Sequence, residues 1–185
     1  MKRILSIAAS DSGGGAGIQA DIKTITALGG YAMTAVTALT VQDTCGVKAV
    51  HPVPADVVQA QIETVLRDMG ADAVKIGMLY SADTVRAVAA ALKKHPVPFV
   101  IVDPVMKSSS GEDLLESPAL DALKTELLPQ AFLVTPNLEE TSCLAGIKVD
   151  SLDKMKAAAI SIRQTGPRYV LITGGHLQGD CIDLL

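Results

Sequence analysis

Short, nearly all-apolar runs alternate along this chain with longer segments in which apolar residues recur every three or four positions. The runs Ile4 to Ala9, Ala32 to Leu39, Ala73 to Gly77, Phe99 to Val102, Ala131 to Thr135 and Tyr169 to Thr173 predict strands. They lack the polar alternation of a half-wetted sheet, as strands covered on both faces do. Helical spacing links Val58, Ile62, Val65 and Met69, then Val85, Val88, Ala89 and Leu92, then Leu120, Leu123 and Leu127. Ser81, Ser117 (before Pro118) and Ser151 supply side-chain oxygens where helices are expected to start. Strand and helix in alternation predict an α/β fold, a central mostly parallel sheet with helices on both faces. No linker, repeat or low-complexity tract divides the chain, so residues 1–185 are expected to form a single domain. The last residues, Cys181 to Leu185, read as a strand just beginning. An unprotected apolar edge is a poor place for a domain to stop, so the chain is expected to be C-terminally incomplete.

Composition narrows the function classes. With 49% apolar and 19% charged residues among 185, the chain can bury a core and is not disordered. A net charge of −4 gives no broad attraction for nucleic acid or an anionic membrane, and the few aromatics (two Phe, three Tyr, no Trp) provide no stacking platform for single strands. No run approaches the roughly 20 apolar residues of a membrane span. Met1-Lys2-Arg3 followed by Ile4 to Ala9 resembles a secretory start, but polar Ser10-Asp11 arrives too early, and a first buried strand is the better reading. Cys45, Cys143 and Cys181 are odd in number and widely spaced, which fits a reducing, cytoplasmic setting without a zinc site, the cysteines being small buried hydrophobes.

Candidate chemistry begins at Ser10-Asp11-Ser12-Gly13-Gly14-Gly15-Ala16-Gly17, between the first strand and a helix marked by Ile18, Ile22 and Ile25. Open α/β sheets bind ligands at such strand-to-helix crossings. The loop lacks the Gly-Lys-Ser/Thr of a nucleotide P-loop, and Ile18 stands where a dinucleotide fingerprint has its third glycine. Two readings remain, a backbone that approaches a ligand closely or a tight turn. Asp21, in the first turns of the helix, is either a pocket-facing carboxylate favoured by the helix dipole or a solvated surface residue.

The run Ile7 to Thr24 resembles the opening of the hydroxymethylpyrimidine/phosphomethylpyrimidine kinases, thiamine-biosynthesis enzymes of the ribokinase-like superfamily. Further likenesses follow in order: Thr37-Ala-Leu-Thr-Val-Gln-Asp-Thr44, Lys75-Ile-Gly-Met-Leu79, Val102-Asp-Pro-Val-Met106, Thr135-Pro-Asn-Leu-Glu-Glu140 and Gly174-Gly-His176. The resemblance implies a ribokinase-like fold and ATP-dependent, Mg²⁺-assisted phosphorylation of 4-amino-5-hydroxymethyl-2-methylpyrimidine and of its monophosphate. It places the pyrimidine among Ala9, Asp21, Gln42, Met78 and Val105. Their chemistry agrees: Met78 and Val105 offer apolar contact to a flat ring, and Gln42 offers a donor and an acceptor to its edge. Ala9 stands where the family usually has glycine, so its methyl group is expected to crowd the ring.

For the nucleotide and its metal, the resemblance implies Asp103, Asn137, Glu140, Thr173 and Gly175, with Asp103 and Glu140 as the Mg²⁺ carboxylates. Asp103 also reads as a strand-end turn residue, and Asn137 to Glu140 also has the spacing of a helix capping box. Thr173 stands where the family commonly has lysine, removing a cationic phosphate contact, and His176 on its loop is read as structural. The Gly-x-Gly-Cys or Gly-x-Gly-Asp motif that builds the family's anion hole is absent from the sequence, so no residue of this chain is assigned the catalytic role and its activity alone is expected to be low. Two alternatives stay open: a pyridoxal kinase-like activity on a related ring, and a non-catalytic pyrimidine binder. Family members commonly dimerise, which implies a homodimer.

Overall fold

The computed structural model describes residues 1–108, 111–175 and 181–185. Seven strands form one sheet in the order β3-β2-β1-β4-β5-β6-β7. They are β1 (Arg3–Asp11), β2 (Tyr31–Asp43), β3 (Gly46–Pro52), β4 (Ala73–Ile76), β5 (Val100–Val102), β6 (Leu133–Val134) and β7 (Tyr169–Val170). All neighbouring pairs are parallel except β2 with β3, which form an antiparallel hairpin. The hairpin's edge strand was not among the sequence expectations. It carries Lys48 and His51 and ends in Pro52, the residues that keep an exposed edge from pairing further, and they dilute its apolar signal.

The helices are α1 (Gly17–Ala27), α2 (Ala55–Asp68), α3 (Ala82–Lys94), α4 (Ser117–Ala122, continued by a π-helical turn, Leu123–Leu127), α5 (Leu138–Ala145) and α6 (Leu152–Arg163). Ser81 and Ser151 cap α3 and α6, accepting from the amides of Thr84 and Lys154. Ser117 does not cap. It is the first residue of α4, preceded by Glu116, whose side chain makes no capping bond. The helical stripes read from sequence reach the core, with Val58, Ile62, Val85, Val88 and Leu127 at 0% exposure.

Helices lie on both faces, unequally. Leu5 and Ile7 of β1 join the main core with residues from α2 to α6, whereas Ser6, pointing the other way, meets α1. Across β4 to β7 the first face is sealed by Val74, Ile76, Val100, Val102, Val134 and Val170, while Lys75, Ile101 and Leu133 opposite are half-exposed. At the amino ends of β5 to β7, Phe99, Phe132 and Tyr169 stack edge to face, with the Arg168 guanidinium over the last two. Most of the chain's few aromatics thus sit at the end of the sheet away from the strand-to-helix crossings. Near the chain's end, Leu184 pairs with Ile172 as an antiparallel bridge. All three cysteines are exposed, against the expectation of burial, because each falls on a loop, a helix surface or the terminal segment.

Candidate active site

The carboxyl ends of β1, β2, β4 and β5 open into a cleft of about 600 Å³. Ala9, Asp21, Gln42, Met78 and Val105, which lie far apart in sequence, all line it, as does Asp103. Among the described residues no aromatic side chain lines the cleft. Ala9, Met78 and Leu114 are instead its buried apolar wall, packed with Ala38 and against Val105 and Val47.

Two slips in strand register shape this cleft. One falls in β1 between Ala8 and Ser10, the other in the hairpin between Val41 and Gln42. A bulge re-aims the side chains beside it, and these two lie at Ala9 and Gln42. The Gln42 backbone is gripped by Ser12, whose hydroxyl donates to the Gln42 carbonyl (2.8 Å) and accepts from its amide (2.9 Å).

The glycine loop is organised by an acid inside it. Asp11 is 4% exposed, and its carboxylate accepts from the backbone amides of Gly13 (2.8 Å), Gly15 (2.9 Å) and Ala16 (2.8 Å). These donors are therefore committed within the loop, which favours the tight turn over a phosphate cradle. At Gly17 the loop packs closely against its own chain, not a ligand: a Cβ would stand 2.2 Å from the Ala9 carbonyl oxygen, and φ is +56°.

Asp21 lies one turn inside α1 and points at the sheet. Its Oδ2 accepts from the Ser6 hydroxyl (2.6 Å) and from Lys75 Nζ (3.2 Å). Partners, more than the helix dipole, hold it there, since α1 has no acidic residue in its first turn. Burial pushes the Asp103 carboxyl above the usual range; the positive charge of Lys75 opposes this and the negative charge of Asp21 adds to it. Lys75 thus serves two carboxylates. The sequence held a signal for it, a lone cation inside an apolar strand, which is seldom tolerated without a partner.

Asn137, Glu140, Thr173 and Gly175 do not line the cleft; they sit at the same edge of the sheet, beyond Asp103. Asn137 and Glu140 form the capping box of α5: Asn137 Oδ1 accepts from the Glu140 amide (2.9 Å) and Glu140 Oε2 from the Asn137 amide (2.8 Å). Thr173 pairs with Asn137 in a parallel bridge, its amide donating to the Pro136 carbonyl at 3.0 Å. Gly175 is exposed with open space around its Cα, while the Gly174 amide already donates to Asp183 (3.0 Å). His176, Gly179 and Asp180 lie outside the described residues.

Glu140, 7% exposed, has its carboxyl pushed up to about 7, chiefly by burial, with Asp103 adding repulsion and the Asn137 amide opposing. The native state thus holds this proton more tightly than an unfolded chain, for which the ordinary value is 4.5. Its contribution is complete below pH 4.5 and is lost as pH rises to about 7, by on the order of 2 kcal/mol after allowing for solvent screening. Without divalent cations, thermal melts should fall by several degrees between pH 5 and pH 8. Glu140→Gln, which keeps an acceptor for Asn137 but no charge, should flatten that slope. An unchanged slope would show that Glu140 is not the group responsible.

Among the described residues no cluster of three or more His, Cys, Asp or Glu side chains forms a ready metal cage. Asp103 is half-buried and Glu140 buried, and the negative charge of Asp103 helps to raise the Glu140 carboxyl. That donor set suits a hard cation which keeps its remaining ligands from water and phosphate.

Residues 11–185 match the family model described as phosphomethylpyrimidine kinase. A hydroxymethylpyrimidine/phosphomethylpyrimidine kinase of Streptomyces coelicolor is 48% identical over 182 residues, 98% of this chain and 67% of that protein. The crystal structure of phosphomethylpyrimidine kinase from Clostridium difficile 630 superposes with a TM-score of 0.93 at 44% identity, over 99% of this chain and 79% of that one. A pyridoxal kinase from Staphylococcus aureus, solved with AMP-PCP, gives 0.89 at 38% identity, over 100% and 68%. The chain thus spans about two thirds of the length of the Streptomyces relative. The ribokinase-like architecture, the ordered motifs gathered at one sheet edge and the match along nearly the whole chain lead to one assignment: this chain belongs to the phosphomethylpyrimidine kinase family.

Proposed function

We propose that the chain forms the pyrimidine-binding and cation-binding portion of a thiamine-biosynthesis kinase. Its substrates are 4-amino-5-hydroxymethyl-2-methylpyrimidine, then the monophosphate, with ATP as donor. The observation that carries this reading is the single cleft in which Ala9, Asp21, Gln42, Met78 and Val105 converge beside Asp103. The ring lies against Met78 and Val105, with the Ala9 methyl crowding it from the cleft wall, and Gln42 meets its polar edge. Asp21, fixed by Ser6 and Lys75, bounds the floor. In the first step the ring's hydroxymethyl oxygen attacks the γ-phosphorus and gives up its proton, and in the second a phosphate oxygen of the monophosphate attacks; in each the bond to the β-phosphate oxygen breaks and ADP leaves.

Asp103 and Glu140 would hold the metal, and Asn137, Thr173 and Gly175 would bound the nucleotide along the same edge. Magnesium bound there would supply positive charge against the phosphate oxygens. No helix among the described residues is long and apolar enough to cross a membrane. The family resemblance and the net charge of −4 support, as the partner set, a small molecule and a second copy of the chain, with neither nucleic acid nor membrane, in the cytoplasm. The β3 edge, beside exposed Leu39 and Val41, offers the second copy a surface.

The test is ADP release in a coupled assay with pyrimidine, ATP and Mg²⁺, alongside thermal stabilisation by each ligand. Gln42→Ala should weaken pyrimidine binding at least ten-fold and spare nucleotide binding. Asp103→Asn should do the reverse, removing the metal-dependent part of nucleotide binding. The opposite pattern would overturn the division of the cleft. Preference for pyridoxal over the pyrimidine would overturn the substrate.

A further inference from the structure

Thr40 lies two residues before Gln42 on β2, lines the same cleft and is 8% exposed. Its Oγ1 stands 3.0 Å from the Ser10 carbonyl oxygen and 3.1 Å from Gln42 Oε1. A hydroxyl has one proton to give, so with the amide in that orientation it cannot satisfy both acceptors. One contact would set two bare oxygens about 3 Å apart. The two ends of a carboxamide have the same shape, and the hydrogen-bond network decides which end faces Thr40. One arrangement makes both contacts attractive: Thr40 donates to the Ser10 carbonyl and accepts from the Gln42 NH₂ group. The amide oxygen then faces away from Thr40. Ser12 already pins the Gln42 main chain from two sides, so rotation of the amide is the freedom left to settle.

We infer that Thr40 is a specificity-determining positioning residue, which turns the Gln42 amide so that its oxygen, an acceptor, meets the bound ring. The preferred ligand therefore carries a donor at that edge, an exocyclic amine, and a ring with a carbonyl there meets oxygen with oxygen. This rests on the proposed reading that Gln42 faces the ring. A polar site that mismatches its ligand leaves buried groups unpaired, and such mismatches discriminate more strongly than a change in apolar size.

Calorimetry on the full chain, without nucleotide or metal, tests it with two rings: the 4-amino-5-hydroxymethyl pyrimidine and its 4-oxo analogue. The wild-type chain should prefer the amine at least ten-fold. Thr40→Val, of nearly the same shape, should bring the two affinities within about three-fold, because the freed amide can turn to suit either. Thr40→Ser, which restores the hydroxyl, should recover the preference. A full preference retained in Thr40→Val overturns the inference while leaving the role of Gln42 intact. Unchanged amine affinity in Gln42→Ala overturns instead the reading on which it rests, and failure of the wild-type chain to bind either ring overturns both. Should Thr40→Val not fold, loss of the preference in Thr40→Ser decides against the inference and its retention in favour.

Discussion

Replacing Asp11 by alanine should cost the chain on the order of 4 kcal/mol and abolish pyrimidine binding, although Asp11 need not touch the ligand. Its carboxylate accepts from the amides of Gly13, Gly15 and Ala16, and it is 4% exposed. Hydrogen bonds to a charged group contribute roughly 1.5–3 kcal/mol each, and water entering the opened loop recovers part of their sum. For a domain of this length a loss of that size lowers the melting temperature by about 10 °C. The loop also carries Ser12, which grips the backbone of Gln42, so its collapse releases the residue proposed to meet the ring. Asp11→Asn should fall about midway. Its single oxygen can keep the Gly15 and Ala16 amides, but its NH₂ group then faces the Gly13 amide, donor against donor. Urea unfolding with hydrogen exchange at Gly13, Gly15 and Ala16 reads both effects. Native protection of these amides in Asp11→Ala would show that the carboxylate does not organise the loop.

Gly17→Ala should be comparably damaging by a different route. A Cβ at residue 17 would lie 2.2 Å from the Ala9 carbonyl oxygen and 3.3 Å from the Asp11 amide nitrogen, both backbone atoms that cannot swing aside. The residue also has φ of +56°, which disfavours any side chain. Strain and overpacking together cost about 3 kcal/mol or more. Relief requires β1 and α1 to separate at Ala9, inside the cleft, so ligand-induced stabilisation should vanish with the stability. Gly29→Ala is the control. Its φ is also positive, at +77°, but a Cβ there meets nothing within 4 Å. That variant should lose about 1 kcal/mol and bind normally, as expected for the conformational penalty alone. Equal losses at the two glycines would show that conformation, and not the contact with Ala9, sets the cost.

Both predictions concern residues in plain view in the sequence, yet their roles were only partly legible there. The Ser-Asp-Ser-Gly-Gly-Gly run marks a turn, and an aspartate two residues before a glycine is a common turn former. Which end of the loop receives its amides depends on how the chain curls back on Asp11. Ser12 and Thr40 carried no signal of their own, because a hydroxyl's meaning lies in its partners: the Gln42 main chain for one, the Ser10 carbonyl and the Gln42 amide for the other. Lys75 did carry one, as a cation amid apolar neighbours, but its partner Asp21 lies 54 residues away.

The sequence by itself determined the class of fold, the parallel strands, the helical faces and the order of the family motifs. Those features rest on local periodicity and residue type, which neighbouring positions express directly. Only the tertiary structure decided that β3 returns as a hairpin on the sheet's edge, that the glycine loop closes on its own aspartate, and that Gln42 sits at a bulge clamped by Ser12. The cleft is made by residues of β1 to β4, α1 and the loops that follow β4 and β5, brought together by sheet pairing between segments distant in sequence. Register and hydrogen-bond direction across such contacts follow from packing the whole domain at once, and no local stretch of sequence encodes them.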